Sequence, residues 1–231
     1  MNNLDVSIAL ATAPSSAFAR LRERPTFWFP LVLQIVVTAA IFYWYYSAVD
    51  LEWFKDLVFS NNPDLQKLPD DQRAQAMGMY TRGVLVWGSV VSIALFVPAF
   101  LLVQSLYLLL ASKVTKMQVG FKHWFAFICW TSLPALLNFV VAAILLLLSD
   151  TTQMNPSTLQ PLSLNELVFH RPMNAPGFTL LESLNLATLL SWVLMVIGVR
   201  NWSQRSWAFS ATIIALPIVL IYGIWALLAF R

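Results

Sequence analysis

Charge is what this sequence has least of. Of its 231 residues, 11% are Asp, Glu, Lys or Arg, while 59% are hydrophobic, and the mean hydropathy is +0.70. Soluble domains are about a quarter charged, so this chain has too little charge to coat a water-facing globule of its size. The shortage excludes soluble enzymes, secreted disulfide scaffolds and disordered tails. A net charge of +3 in so apolar a chain gives no footing to a nucleic-acid partner. A single cysteine, Cys129, rules out an intrachain disulfide and says little about compartment. The two histidines, His123 and His170, fall short of the three or four convergent ligands that a metal site requires. Glu166 and His170 are four apart, but beside Pro172 they read as a solvated loop. The sequence also lacks a glycine-rich phosphate loop, a nucleophile elbow and a zinc-protease helix. It predicts no catalytic residue, no metal and no cofactor, and hence no enzyme.

What the chain has in abundance is uncharged length. Charges stop at Arg24 and resume at Asp50, then run out between Arg82 and Lys113, Lys122 and Asp150, Glu182 and Arg200, and Arg205 and Arg231, leaving windows of 25, 30, 27, 17 and 25 residues. About 20 apolar residues cross a bilayer, so five spans fit, placed at about 27–48, 84–111, 123–148, 180–199 and 207–229. The fourth window rises only about 26 Å, which predicts that its span borrows a turn near Leu180. Runs such as AILLLLS and VLMVIGV are continuous rather than alternating, which favours helices over a β-barrel. No charged residue lies deep in a span, which argues against a proton-coupled transporter, an intramembrane aspartyl protease and a voltage sensor. Residues 1–24 lack the apolar core of a cleavable signal, so the first span is expected to be retained.

The expected fold is an all-α membrane protein with five transmembrane helices and a short N-terminal interfacial helix. The whole chain reads as a single five-span domain, with residues 1–26 cytoplasmic or interfacial. Arg20, Arg22, Arg24, Lys113, Lys116, Lys122, Arg200 and Arg205 share one side with only Asp5 and Glu23. By the positive-inside rule that side is cytoplasmic, which places the N-terminus inside and the C-terminus outside. Trp28, Trp44, Trp87, Trp124, Trp207 and Trp225 fall near span ends, as rings at headgroup depth do.

The segments between spans differ in character. PSSAFARLRERPTFWFP reads as a helix capped by Ser15 or Ser16, with Phe18 and Leu21 on one face, Arg20 and Arg24 toward headgroups, and Pro25 as its stop. In the first outer loop, 50–82, Pro69 and the acids after it predict a helix that continues into the second span. The second outer loop, 150–179, carries several prolines and reads as irregular, with a short apolar turn at Leu164 to Phe169 touching the membrane surface.

Within the spans the polar residues are neutral. Gln34, Thr38, Gln104, Ser105, Thr131, Ser132, Asn138, Asn185, Thr188 and Ser191 form a candidate polar seam. Its plainest reading is interhelical hydrogen bonding, each bond contributing about 0.6 to 2 kcal/mol. Its sharper reading is a path for a lipid headgroup or small solute. Pro98, Pro134 and Pro217 are expected to kink their helices, which frees carbonyls for packing or for a ligand.

The opening PSSAFARLRERPTFWFPLVL resembles the start of bacterial members of the Yip family of Ypt/Rab-interacting proteins. FKHWFAFICWTSLPALL is similar to the family's third span, PLSLNELVF to a stretch before the fourth, and LLESLNLATLLSWVLMVIGVRNWSQRSWAFSATI to the end of the domain. The resemblance runs from Pro14 to the end of the fifth span and implies a multi-pass, non-enzymatic protein of the bacterial inner membrane. Eukaryotic members bind prenylated Rab-type GTPases and take part in trafficking and membrane shaping through a long cytosolic N-terminal region. This chain has about two dozen residues there and lacks the Asp-Leu-Tyr-Gly-Pro stretch of those relatives, so GTPase binding is not expected of it.

Two kinds of function follow. One is membrane organisation or docking, in which the eight cationic residues contact anionic lipid headgroups or a protein partner, with a homo-oligomer as a further option. The other is a facilitator of lipid or small-solute passage through the seam. A third role, accessory subunit of a transporter, would place the working parts on other chains.

Overall fold

In a bilayer no water is at hand to satisfy backbone N–H and C=O groups, so apolar segments close their hydrogen bonds internally as helices. The computed structural model describes residues 3–230 and follows that rule, with no strand among them. In chain order its helices are α1 (Asn3–Thr12), α2 (Pro14–Glu23), α3 (Trp28–Ala48), α4 (Leu51–Asn61), α5 (Pro63–Gln66) and α6 (Asp70–Gly78). After these come α7 (Arg82–Val114), α8 (Phe121–Thr131), α9 (Leu136–Leu148), α10 (Phe178–Ser183), α11 (Leu186–Ser203) and α12 (Trp207–Ala229). Five helical stretches are long and apolar enough to cross a membrane: α3, α7, residues Phe121–Leu148, α11 and α12.

Local chemistry sets the ends. Pro14 opens α2 after an uncapped Ala13, and the Ser16 hydroxyl donates to the Ala13 carbonyl at 2.8 Å. This differs from the expected serine cap, because proline already supplies the fixed φ of a first helical position. Asp50 caps α4 by accepting from the Trp53 N–H at 2.9 Å, and Ser206 caps α12 through the Phe209 N–H at 3.1 Å. α4 was not anticipated, although Asp50 followed by Leu, Trp and Phe at helical spacing signals it. α6 does not run into the second span: it stops at Gly78, and Thr81 begins a new helix by accepting from the Val84 N–H at 3.3 Å.

The fourth span corrects the expected 180–199. Phe178–Ser183 is a separate short helix, because Leu184 turns extended at φ −85° and ψ 105° and Asn185 pairs with Ser163. α11 recovers its length at the other end, reaching Ser203. Pro98 and Pro217 sit inside unbroken helices, whereas Pro134 occupies a single 3₁₀ turn that divides α8 from α9.

The chain forms two compact units, each with its own apolar core. The first comprises residues up to Ile35, Phe96–Leu137 and Leu186 onward. Its centre is aromatic: Phe18 lies 5.3 Å from Phe127, and Trp202 lies 5.0 Å from Phe127 and 5.2 Å from Trp124, centroid to centroid. Every residue from Trp124 to Thr131 is buried, so α8 is enclosed on all sides. Trp124 is therefore enclosed by protein and does not present its ring to headgroups. The apolar face of α2, Ala17, Phe18 and Leu21, is buried in the same core. Indole N–H groups tie it together, Trp202 donating to the Phe18 carbonyl at 2.8 Å and Trp130 to the Thr26 carbonyl at 2.7 Å.

The second unit comprises Val36–Leu95 and Asn138–Asn185, around Tyr45, Phe54, Ala142, Leu146, Met154 and Leu159. The Arg82 guanidinium closes the C-terminal end of α3 by donating to the carbonyls of Tyr46 (3.0 Å), Ser47 (2.6 Å) and Val49 (3.0 Å). A cation there meets the orphan carbonyls and the negative end of the helix dipole together.

Candidate functional site

The eight predicted cationic residues all belong to the first unit, where Asp5 and Glu23 are the only acids. The second unit has the opposite balance, five Lys or Arg against nine Asp or Glu. Arg20 and Arg22 occupy the last turn of α2, Lys113 that of α7 and Arg200 that of α11, positions where positive charge suits a helix end. Lys116 takes a left-handed backbone at φ 59°, and its N–H reaches the Lys113 carbonyl while that of Met117 reaches Ser112 at 2.8 Å. That pair of bonds is a Schellman closure, with lysine where glycine is usual.

Several of these side chains are held in place. Arg22 donates to the Trp202 carbonyl at 2.7 Å and Arg205 to the Thr115 carbonyl at 2.6 Å. The Arg200 guanidinium lies 4.3 Å from the Trp207 ring centroid, and that of Arg205 lies 4.6 Å from Phe209. Such cation–π pairs fix a head group without neutralising it. Arg24, Lys113 and Lys122 are exposed, and Lys122 borders a cleft of about 330 Å³ with Pro25, Thr26 and Trp28.

The ten seam residues divide between the two units. Thr38, Asn138 and Asn185 are in the second, and the other seven in the first. Ser105, Thr131, Ser132 and Ser191 each donate to a carbonyl one turn earlier in their own helix, at 2.6 to 3.2 Å. Two residues reach beyond their helices. Gln34 donates to the carbonyls of Pro30 (2.9 Å) and Cys129 (3.0 Å). Asn138 donates to the Leu159 carbonyl at 2.8 Å and accepts from the Leu162 N–H at 3.2 Å. Asn185 pairs through its backbone with Ser163. Gln104, Thr38 and Thr188 are half-buried.

A second cleft, of about 430 Å³, lies between α4 and α6 near Lys55, Asp56, Phe59 and Arg73. None of the seam residues lines either cleft. Among the described residues no group of three His, Cys, Asp or Glu converges as a metal site would need. Outside the spans, burial and then the charge of Glu166 push the Glu182 carboxyl upward. Hydrogen bonds from the Thr152 backbone and hydroxyl pull that of Asp150 down. Arg82, Tyr45, Ser163 and Asn165, which organise the second unit, were not singled out from sequence; only Arg82, a lone cation at the mouth of a span, carried a visible signal.

Compared with known proteins, residues 8–228 match the family model described as the Yip1 domain. No curated protein and no solved structure matches the chain.

Proposed function

This chain belongs to the Yip1 domain family, and from that membership and its charge distribution we propose a non-enzymatic, multi-pass protein of the bacterial inner membrane that organises membrane or docks partners through a cationic cytoplasmic face. The observation that carries this reading is the gathering of Arg20, Arg22, Arg24, Lys113, Lys116, Lys122, Arg200 and Arg205 in one unit that holds two acids. Arg200 and Arg205 lie against aromatic rings, and Arg22 and Arg205 donate to backbone carbonyls. Such an excess of cations over acids attracts anionic headgroups or an acidic partner surface, each cation contributing about 1 kcal/mol near a charged membrane. The N-terminus is then cytoplasmic and the C-terminus outside. The seam favours passage less, because most of its hydroxyls already bond to their own helices.

The test compares the purified protein, with native lipid retained, against a variant carrying Arg24→Gln, Lys113→Gln and Lys122→Gln. Retained anionic phospholipid and copurifying protein are expected to fall several-fold in the variant, while reconstituted liposomes stay tight to small solutes and lipid scrambling. Unchanged retention, together with solute or lipid flux that Gln104→Leu abolishes, would replace docking with passage.

A further inference from the structure

The stretch between α9 and α10, expected to be mostly irregular with a short apolar turn at Leu164 to Phe169 on the membrane surface, is packed into the second unit. From Met154 to Asn165 no residue is exposed. The Tyr45 hydroxyl donates to the Met154 carbonyl at 2.8 Å. Asn138, 1% exposed, holds both Leu159 and Leu162.

The position of Asn138 sets a depth. It lies ten residues before Leu148, the end of α9, which is about 15 Å at about 1.5 Å per residue. The span Phe121–Leu148 has 28 residues, a length of about 42 Å against a hydrocarbon core of about 30 Å. Even if the whole excess of about 12 Å projected on the α9 side, Asn138 would still lie inside the hydrocarbon. Leu159 and Leu162, bonded to it, are at the same depth. Irregular backbone is tolerated there because protein surrounds it and takes up its polar groups.

The chain then rises to a pairing between Ser163 and Asn185, with the Leu164 N–H donating to the Leu184 carbonyl at 2.6 Å. Asn185 is the residue before α11 begins at Leu186, so this pairing marks the level at which an apolar helix starts. The next residues, Asn165–Phe169, form one wide helical turn. Its backbone is closed from within. The Asn165 side chain bonds to both the N–H (3.0 Å) and the C=O (3.2 Å) of Arg171, the Ser163 hydroxyl accepts from Glu166 at 3.1 Å, and the His170 N–H reaches the Asn165 carbonyl at 2.7 Å. What the turn shows to its surroundings is Leu167, Val168 and Phe169, exposed by 51, 60 and 49%.

We propose that residues 154–169 form a re-entrant segment and that Leu167, Val168 and Phe169 contact the acyl chains of phospholipids in the leaflet on that side. Depth identifies the occupant. Three successive apolar side chains project at the level where a span begins, from a turn whose backbone bonds are already made. A strand-like partner would need free N–H and C=O groups, whereas acyl chains ask for none. Glu166 and His170, which bracket the three, suit the border between hydrocarbon and headgroups. Nothing in this inference depends on the docking role of the cationic unit.

Nitroxide labels report depth directly. The full-length protein with Cys129→Ala would carry a single label at Val168→Cys, in liposomes of phosphatidylethanolamine and phosphatidylglycerol. Asp64→Cys, on the exposed α5, supplies the aqueous reference. At position 168, collision with oxygen, which concentrates in hydrocarbon, is expected to exceed collision with a water-soluble nickel complex several-fold relative to position 64. Nickel access at 168 equal to that at 64 would overturn the proposal by placing the turn in water. Low access to both reagents would overturn it by placing the turn against protein. Because Val168 is exposed, the label leaves the packing intact, and Leu167→Cys repeats the measurement.

Discussion

Adding one methyl at Gly198 should destabilise the protein, although helix propensity alone predicts the reverse. Within a helix, alanine is favoured over glycine by about 1 kcal/mol. At Gly198, inside α11, the new Cβ would overlap the Phe127 ring at Cε2, meet its Cζ at 2.8 Å and meet Phe18 Cε1 at 2.9 Å. Neither ring can yield cheaply. Phe127 and Phe18 are both 0% exposed, and Phe127 is wedged between Phe18, Trp124 and Trp202 with centroids 5.0 to 5.4 Å apart. Overpacking costs about 1–3 kcal/mol. Three contacts under 3.0 Å on two enclosed rings place this site in the upper part of that range, about 2–3 kcal/mol, which leaves a net loss of about 1–2 kcal/mol after the propensity gain. For a chain of this size that lowers the unfolding midpoint by about 2–8 °C. Gly223 in α12 has nothing within 4 Å of the same methyl, so Gly223→Ala should be neutral or stabilising by up to about 1 kcal/mol. Thermal unfolding of both variants in lipid nanodiscs, followed by tryptophan fluorescence, reads the contrast. A Gly198→Ala midpoint at or above that of the parent would refute the packing of α2 and α8 against α11.

Other perturbations test the second unit. Arg82→Lys keeps the charge but loses the fork that reaches three carbonyls, so it should cost about 1–3 kcal/mol in chemical unfolding, and equal stability would deny the helix closure. Asn138→Leu strands the Leu159 carbonyl and the Leu162 N–H and should cost about 2 kcal/mol, whereas Ser191→Ala, which loses one bond within its own helix, should stay within about 0.5 kcal/mol. Glu182 carries a pH signature. Its carboxyl is raised by burial and then by Glu166, so the stability tied to its proton is complete below the ordinary glutamate range of about 4.3 and fades as pH rises through the folded value. Glu182→Gln should accordingly be more stable than the parent at neutral pH and equal to it in acid. A constant difference across pH would contradict the burial of that carboxyl.

The helices were legible because lipid makes one demand throughout: long uncharged runs such as Trp28–Ala48 and Trp207–Ala229 have no other way to bond their backbones. Charge asymmetry was legible as well, since cations and acids fall in different stretches between the uncharged runs. What eluded sequence reasoning depends on partners distant in the chain. Asn185 ends the short helix before α11 through its pairing with Ser163, and a window of hydropathy contains no trace of that. Thr81 and Asp50 were readable helix starts that the charge breaks obscured. The proline-rich stretch 154–165 looked like a loop because its composition is that of one. It is buried because Asn138, ten residues inside α9, supplies the bonds such backbone needs. The seam residues carried no mark to distinguish Ser105, spent on its own helix, from Asn138, which holds another segment.

Sided thiol labelling decides whether this five-span chain presents its cationic surface to the cytoplasm. Cys129 is buried and gives a silent background. Single cysteines at Gln118, beside the Lys113–Lys122 turn, and at Asp64, in the acidic unit, would be challenged with a membrane-impermeant maleimide in sealed vesicles of known orientation. Gln118→Cys is expected to react only from the cytoplasmic face and Asp64→Cys only from the opposite one. Labelling of both from the same face, or of Gln118→Cys from outside, would contradict that orientation.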